Sequence, residues 1–321
     1  MSIGGGDPFE VGADVSPSFQ RGSPPAPAAR PSGRRGVLIG VASVVVVFGA
    51  LGWIVVNSPN WPLVRDAFFN SKYFWKALPY VAQGFVVNIQ LCLISEALVL
   101  ICGLGIALMR TAPGAVFLPL RLLAVIYSDF FRGVPGVLFI FLFGFGVPAL
   151  QIPGVPNEPF FFGVLTLVLL YTAYVGEVYR AGLESVHPSQ EAAARSLGLS
   201  RAQAMRYVVV PQAVRRVIPP LLNDFIGLQK DTALVSFIGV VEVFRQSQIQ
   251  EAATYNFTPY LASAALFLLI TVPLTRVVDI LIARDRRRLL ATARGLWSRR
   301  SCASRGSTSR SASWRSCGVS T

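Results

Sequence analysis

Six stretches of the chain are dominated by apolar residues: 36–57, 84–109, 136–150, 160–182, 219–240 and 260–283. A bilayer-spanning helix needs about 20 mostly apolar residues, so the pattern predicts an all-α, polytopic transmembrane helical bundle with about six spans. Ahead of the first stretch, residues 1–35 include SPPAPAARPSGRRG and offer no periodic apolar face to bury. They read as a disordered cytoplasmic leader, and 36–57 as an uncleaved extra N-terminal transmembrane helix. Between the first two stretches, 58–83 reads as an external amphipathic segment, with Arg65, Lys72 and Lys76 against Asp66.

Composition sharpens this picture. With 53% hydrophobic and 14% charged residues in 321, a soluble globule would carry too much apolar surface. The net charge of +13 raises the question of nucleic acid, but residues 284–321 hold ten Arg against the single Asp285, so the tail dominates the basic balance. An arginine- and serine-rich end of this kind is more often solvated or lipid-associated. Cys92, Cys102, Cys302 and Cys317 form no CxxC pattern and His187 is the single histidine, so neither disulfides nor a metal site is indicated. No GxxxxGK[ST], GxSxG or HExxH motif occurs, so the energy for any transport has to come from another polypeptide.

Arginine in short loops sets orientation. With the N-terminus inside, the loops carrying Arg110 and Arg121, then Arg195, Arg201, Arg206, Arg215 and Arg216, then Arg284 to Arg288, all fall in the cytoplasm. The loop 151–159 has no Lys or Arg and falls outside. Both termini are therefore expected in the cytoplasm of an inner-membrane protein.

The stretch SQEAAARSLGLSRAQAMRYVVVPQAVRRVIPP is too polar to cross lipid. Ser189 is expected to cap a short helix with Glu191 in its first turn. Gly198 suits the left-handed position after that helix, with Leu199 as its apolar cover. Ser200 and Gln203 form the signature of a capping box for a second helix, which Pro211 limits. Ala193, Leu197, Leu199, Met205 and Val208 are expected to share a packing face, leaving Arg195, Arg201 and Arg206 to a partner. Taken alone, the stretch could pass for a helix-turn-helix, but both flanks run into membrane, which leaves no access to a duplex.

This segment resembles the EAA loop of the polar amino acid branch of binding-protein-dependent ABC importer permeases, the histidine/glutamine/glutamate permease family. FFRGVP (Phe130 to Pro135), GEVYRAGLESV (Gly176 to Val186), LGLS (Leu197 to Ser200), PQAVRRVIPPLLND (Pro211 to Asp224) and LQKDTALVSFIGVVEV (Leu228 to Val243) resemble its successive blocks. The resemblance covers roughly 80–285 and implies a type I ABC importer transmembrane domain with a permease core at 84–283 and a coupling loop at 187–212. It implies alternating access driven by a separate ABC ATPase dimer, an extracytoplasmic amino-acid-binding protein, and a second permease copy or paralogue. It also implies no cofactor in this chain, ATP being bound by the partner, and no nucleic acid. The coupling residues it points to are Glu191, Ala192, Ala193, Arg195, Gly198, Ser200 and Arg201. Glu191 lies seven residues before Gly198 where the family has six, with Ala192 in the usual position. A secondary transporter working without an ATPase is the alternative; it would not need the capped cytoplasmic turn.

Charged and polar groups inside spans are functional candidates because burying them is costly. Glu96 is a path-lining carboxylate or a paired structural one; Asn88 and Gln90 contact substrate or a neighbouring helix; Lys230, Asp231 and Thr232, with Asp224 before them, are gating or packing candidates. Glu177 and Arg180, three apart on one helical face, read as a structural ion pair. The end of the basic tail, SCASRGSTSRSASWRSCGVST, has the bias of a GC-rich coding region read out of frame. Permitted codons shifted by one base give VLRVEGLHKSFGELEVLRGVD, which resembles the opening strands of an ABC ATPase. Residues 284–321 are accordingly expected to be a disordered tail, possibly out-of-frame sequence.

Overall fold

The computed structural model describes the backbone of residues 34–306 and the side chains of residues 36–284. The expected leader and the end of the tail lie outside the described residues. The chain divides into two compact units, Met1–Trp61 and Pro62–Thr321. In the first, α1 (Arg34–Val56) is one continuous helix, and Gly36–Val56 is long and apolar enough to cross a bilayer. Exposed Val44 to Phe48 give it a surface suited to hydrocarbon.

A short helix, α2 (Trp61–Phe68), leads into the second unit. It is tied to residues far along the chain: Phe257 N donates to Ala67 O at 2.8 Å, Asn256 Nδ2 donates to Asp66 O at 2.8 Å, and Phe68 stacks on Phe257. After Asn70, whose side chain accepts from Lys72 N, α3 (Ser71–Thr111) runs for 41 residues without a break. The structure therefore corrects the expected boundary between an amphipathic segment ending at 83 and a span starting at 84. Lys72, Lys76 and Pro79 make the first turns look like a separate polar element. Ala77, Val81 and Phe85 nevertheless share one face and pack with Val243 and Ala262, so tertiary burial carries the helix through.

The expected span at 136–150 is half of a bent pair. Here α4 (Leu118–Gly133) meets α5 (Gly136–Phe141), which continues through a π turn at Leu142–Gly146 into α6 (Val147–Ala149), and the two arms are bent by 103°. The bend follows from Pro135: a residue before proline is pushed out of the helical region, and Val134 sits at φ −114°, ψ 138°.

The helix α7 (Pro159–Glu184) runs through the middle of the bundle, with Leu167, Ala173 and Val175 fully buried. It crosses α3 closely at Gly103, where the Cβ of any other residue would lie 2.7 Å from Val175 Cγ1. Three further pieces, α8 (Pro188–Ser196), α9 (Arg201–Ala204) and, after a π turn at Met205–Val209, α10 (Val210–Asp231), carry the chain back. A 3-10 helix at Thr232–Ile238 then breaks the direction before α11 (Val243–Thr254) and the long α12 (Thr258–Gly306).

Among the described residues, four helical segments are individually apolar and long enough to span: Gly36–Val56, Trp61–Thr111, Pro159–Glu184 and Thr258–Arg284; the bent pair makes a fifth. The stretch expected as a span at 219–240 is not uniform. Its α-helix ends at Asp231, carries Asp224 and Lys230, and passes into the 3-10 segment, so neighbouring helices have to shield it. The tail also differs from expectation: α12 continues to Gly306, over a stretch rich in Arg, Leu and Ala that favours helix.

At Gly84, an added Cβ would lie 2.8 Å from the Glu242 carbonyl carbon and oxygen and from Val243 N, whereas Gly105 on the same helix has nothing within 4 Å. Backbone cannot yield as a side-chain tip can. Gly84→Ala should therefore destabilise the detergent-solubilised protein by about 1–3 kcal/mol, lowering its thermal unfolding midpoint. Gly105→Ala should leave that midpoint unchanged or raise it.

Candidate functional site

The break after α10 is held by a buried polar knot. Gly239, at φ +94°, turns the chain out of the 3-10 helix, and Glu242 then adopts extended geometry at the N-cap of α11. Its carboxylate accepts from Arg245 N at 2.8 Å and Phe244 N at 2.9 Å, satisfying donors that the start of a helix leaves free. Asn88 reaches across from α3: Nδ2 donates to Glu242 Oε2 and to Thr232 Oγ1, each at 3.0 Å, and Oδ1 accepts from Val243 N at 2.9 Å. Thr232 Oγ1 donates in turn to Gln229 O at 2.7 Å. Asn88, Thr232 and Glu242 are all buried. Among the described residues, Glu242 has no cation within salt-bridge distance, so neutral N–H groups alone compensate its burial.

Beside this knot lies a cleft of about 220 Å³ between α7 and α10, lined by Tyr171, Tyr174, Asn223, Asp224 and Asp231 among others. Tyr171 OH donates to Asp231 Oδ2 at 2.9 Å. Asp224 Oδ2, by contrast, is buried without a hydrogen-bond partner, as is Glu96 Oε2 on α3. Polar atoms withdrawn from water without a partner are costly; of these two residues Asp224 lines the cleft and Glu96 does not.

Next to the cleft is an ion cluster. Glu177 accepts from Arg110 Nη1 at 2.6 Å and from Arg180 through both carboxylate oxygens, and Arg180 also bonds Glu184. Arg132 Nη1 lies 3.9 Å from Glu177 Oε2, and its guanidinium sits 5.8 Å from the centroid of the Tyr174 ring. The Glu177 and Arg180 pair read from the sequence is thus part of a cluster of five charges.

The turn between α8 and α9 closes as its sequence suggests. Gly198 has φ +91°, its N–H donates to Arg195 O, and Leu199 N donates to Ala194 O. Ser200 Oγ accepts from Gln203 N, and Gln203 Oε1 accepts from Ser200 N. Three readings need correction. The cap of α8 is His187, not Ser189: its Nδ1 accepts from Ser189 N at 3.2 Å, with Pro188 in the first helical position. Pro211 does not end the second helix either; the π turn before it widens the ladder, and the chain stays helical to Asp231. Finally, the expected packing face holds only in part: Leu199, Met205 and Val208 are half-buried, Met205 against Val186, Val209 and Ala213. Ala194, Ala204 and Val209 are buried, whereas Ala193 is exposed and Leu197 is 85% exposed.

Among the other sequence candidates, Ala192, Arg195, Ser200 and Arg201 are exposed, and half-buried Glu191 lies 3.7 Å from Arg201 Nε. Asn88 and Thr232 come together in the knot, and Asp231 lines the cleft. Gln90 and Lys230 are exposed and join neither. Sequence reasoning left out Glu242, Tyr171, Tyr174 and Arg132. Arg132 lies inside the FFRGVP block, but nothing in the chain's spacing pairs Glu242 with a residue 154 positions away.

A helical membrane bundle broken at a buried polar knot, with a capped turn projecting at one end, is the architecture of a transport subunit. Residues 115–287 match the family of binding-protein-dependent transport system inner membrane components. The chain belongs to that family and is a membrane-embedded permease subunit. It is 33% identical over 203 residues to the probable glutamine ABC transporter permease protein GlnM of Bacillus subtilis, covering 63% of this chain and 91% of that one. It is 31% identical over 221 residues to the glutamine transport system permease protein GlnP of Escherichia coli K12, covering 69% and 98%. A solved amino acid ABC transporter, crystallised with histidines, superposes with a TM-score of 0.59 at 34% identity, covering 65% of this chain and 95% of that one.

The knot makes a direct prediction. Asn88→Ala strands Glu242, Thr232 and Val243 N without their shared partner, and each buried unsatisfied group costs about 1–3 kcal/mol. The purified variant should unfold at a clearly lower temperature than wild type. Gln90→Ala, at an exposed position two residues on, should unfold with wild type.

Proposed function

We propose that the chain is the permease subunit of an ATP-driven importer of polar amino acids, with alternating access driven by a separate ATPase through the turn at Gly198. The observation that carries this reading is the unbroken helical path from the Ser200 cap to Asp231 at the cleft. Exposed Leu197, Tyr207, Arg195 and Arg201 at the turn present an apolar and basic surface to a partner. The GlnM and GlnP relatives, both glutamine permeases by name, support an amino acid as cargo.

In this reading two copies, or one copy and a paralogue, assemble with an ABC ATPase dimer inside and an amino-acid-binding protein outside. The chain itself binds no ATP and has no catalytic site. ATP binding moves the turn, the helices switch between inward- and outward-facing packing, and hydrolysis resets them. Asp231, Asn88 and Thr232 lie along or beside the path; Glu191 contributes less to docking than at the family's usual spacing, because one residue rotates a helical side chain by about 100°.

The test is uptake of radiolabelled glutamine, glutamate, arginine and histidine by proteoliposomes holding the complete transporter. Accumulation should require internal ATP; transport that persists without ATP would overturn the reading. Gly198→Val places a β-branched residue at φ +91°, a backbone region that costs such residues about 1–2 kcal/mol or more. It should insert normally yet lose ATP-dependent uptake, and normal uptake would remove the turn from the mechanism. For orientation, single cysteines near Glu158 should react with an impermeant reagent added outside, and ones near Ser200 should be protected. The reverse would invert the proposed cytoplasmic termini.

A further inference from the structure

Around the cleft, charge and partner are mismatched. Glu177 is fully engaged by Arg110 and Arg180, so Arg132 meets it only at 3.9 Å and with a side chain 40% exposed. Asp224, lining the cleft, has a buried carboxylate oxygen with no hydrogen-bond partner. Tyr174 is common to both groups: it lines the same cleft as Asp224, and its ring centroid lies 5.8 Å from the Arg132 guanidinium. Asp224 also feels the Arg132 charge. A loosely held cation and a carboxylate with a partnerless oxygen thus share Tyr174 as a neighbour.

Both ends of this arrangement favour movement. A distant, part-exposed ion pair contributes little and is readily given up. A part-buried carboxylate without a partner gains more from a bidentate guanidinium than Glu177 loses, because Glu177 keeps two other arginines. Arg132 also sits in the last turn of α4, just before the break at Val134–Pro135, where a small rotation of one arm of the bent pair re-aims the side chain.

We propose that Arg132 is a gating residue that alternates between Glu177 and Asp224, and that the Arg132–Asp224 pair closes the cleft in the opposite state of the transport cycle. In the state described here the cleft is open and Arg132 rests on Tyr174. When the arms of the bent pair rotate, the guanidinium passes the ring edge and engages Asp224, filling the space that cargo would occupy. This deepens the importer reading and rests on it.

The experiment is a charge cycle in the complete transporter, reading ATP-dependent uptake of the four labelled amino acids together with ATP hydrolysis by the same complex. Arg132→Ala and Asp224→Ala should each lower uptake about tenfold or more, and the double variant should be no worse than the weaker single, as expected of residues acting as one unit. Arg132→Ala should retain hydrolysis, and Arg132→Lys should recover part of the uptake. The swapped pair, Arg132→Asp with Asp224→Arg, should exceed either single reversal. Additive losses, a swapped pair no better than its singles, or loss of hydrolysis together with uptake in Arg132→Ala would overturn the gate while leaving the importer reading intact. Absence of ATP-dependent uptake of all four amino acids by wild type would overturn both.

Discussion

Asn88 is an amide in the middle of a long apolar helix, and lipid offers nothing to bond it. Both of its donors and its carbonyl have to be satisfied inside the bundle. It does so by gathering Thr232, Glu242 and Val243 N, groups from the end of α10 and the start of α11. That single side chain fixes where the chain stops being α-helical, because the 3-10 segment and the Gly239 turn are tolerable at membrane depth only while every freed backbone group has a partner. The close approach of Gly84 to the Glu242 backbone follows from the same point, since α3 has to come near enough for Asn88 to reach. The position of the cleft depends on it as well: Asp231 is the last residue of α10, one position before Thr232, so the knot determines where that carboxylate faces Tyr171.

The parts of the fold legible in the sequence are those whose cause is local. Gly36–Val56, Pro159–Glu184 and the apolar half of α12 announce themselves by a long apolar window, and the Gly198 turn and the Ser200–Gln203 box by residue types with fixed backbone or capping roles. Errors arise where tertiary contacts override a local signal. Lys72, Lys76 and Pro79 look like an interruption, yet burial of Ala77 and Val81 carries α3 through them. Pro211 looks like a stop, but a π turn accommodates it. Ser189 looks like the cap because histidine is an uncommon N-cap, yet it is His187 Nδ1, with Pro188 at the first helical position, that accepts from the Ser189 amide.

The functional site was only partly readable for a related reason. Glu177 and Arg180 share a helix and sit three apart, so their pairing is visible in the chain. Arg110 and Arg132 come from two other helices, and their share in the cluster depends on how α3, α4 and α7 pack. Gln90 and Lys230 illustrate the converse: both are polar residues in apolar surroundings, but each points away from the bundle, and only the helix phase distinguishes them from Asn88 and Asp231.

The absence of a break between Arg201 and Asp231 has a mechanical consequence. At 1.5 Å per residue, thirty-one residues make a rod of about 46 Å, its backbone ladder interrupted at the π turn near the Arg201 end and at Pro219 and Pro220. Such a rod acts as a lever arm whose fulcrum lies where it leans on α7, at the contact of Val217 with Gly182. A tilt of about 5° about that fulcrum would swing the far end, some 20 Å away by the same rise, through roughly 2 Å. That is a displacement comparable to a change of hydrogen-bond partner. The tight fit at Gly182, where a methyl group would already collide with Val217 Cγ2, resists sliding at that contact more than turning about it, and Pro219 and Pro220 just beyond it are where the arm can flex.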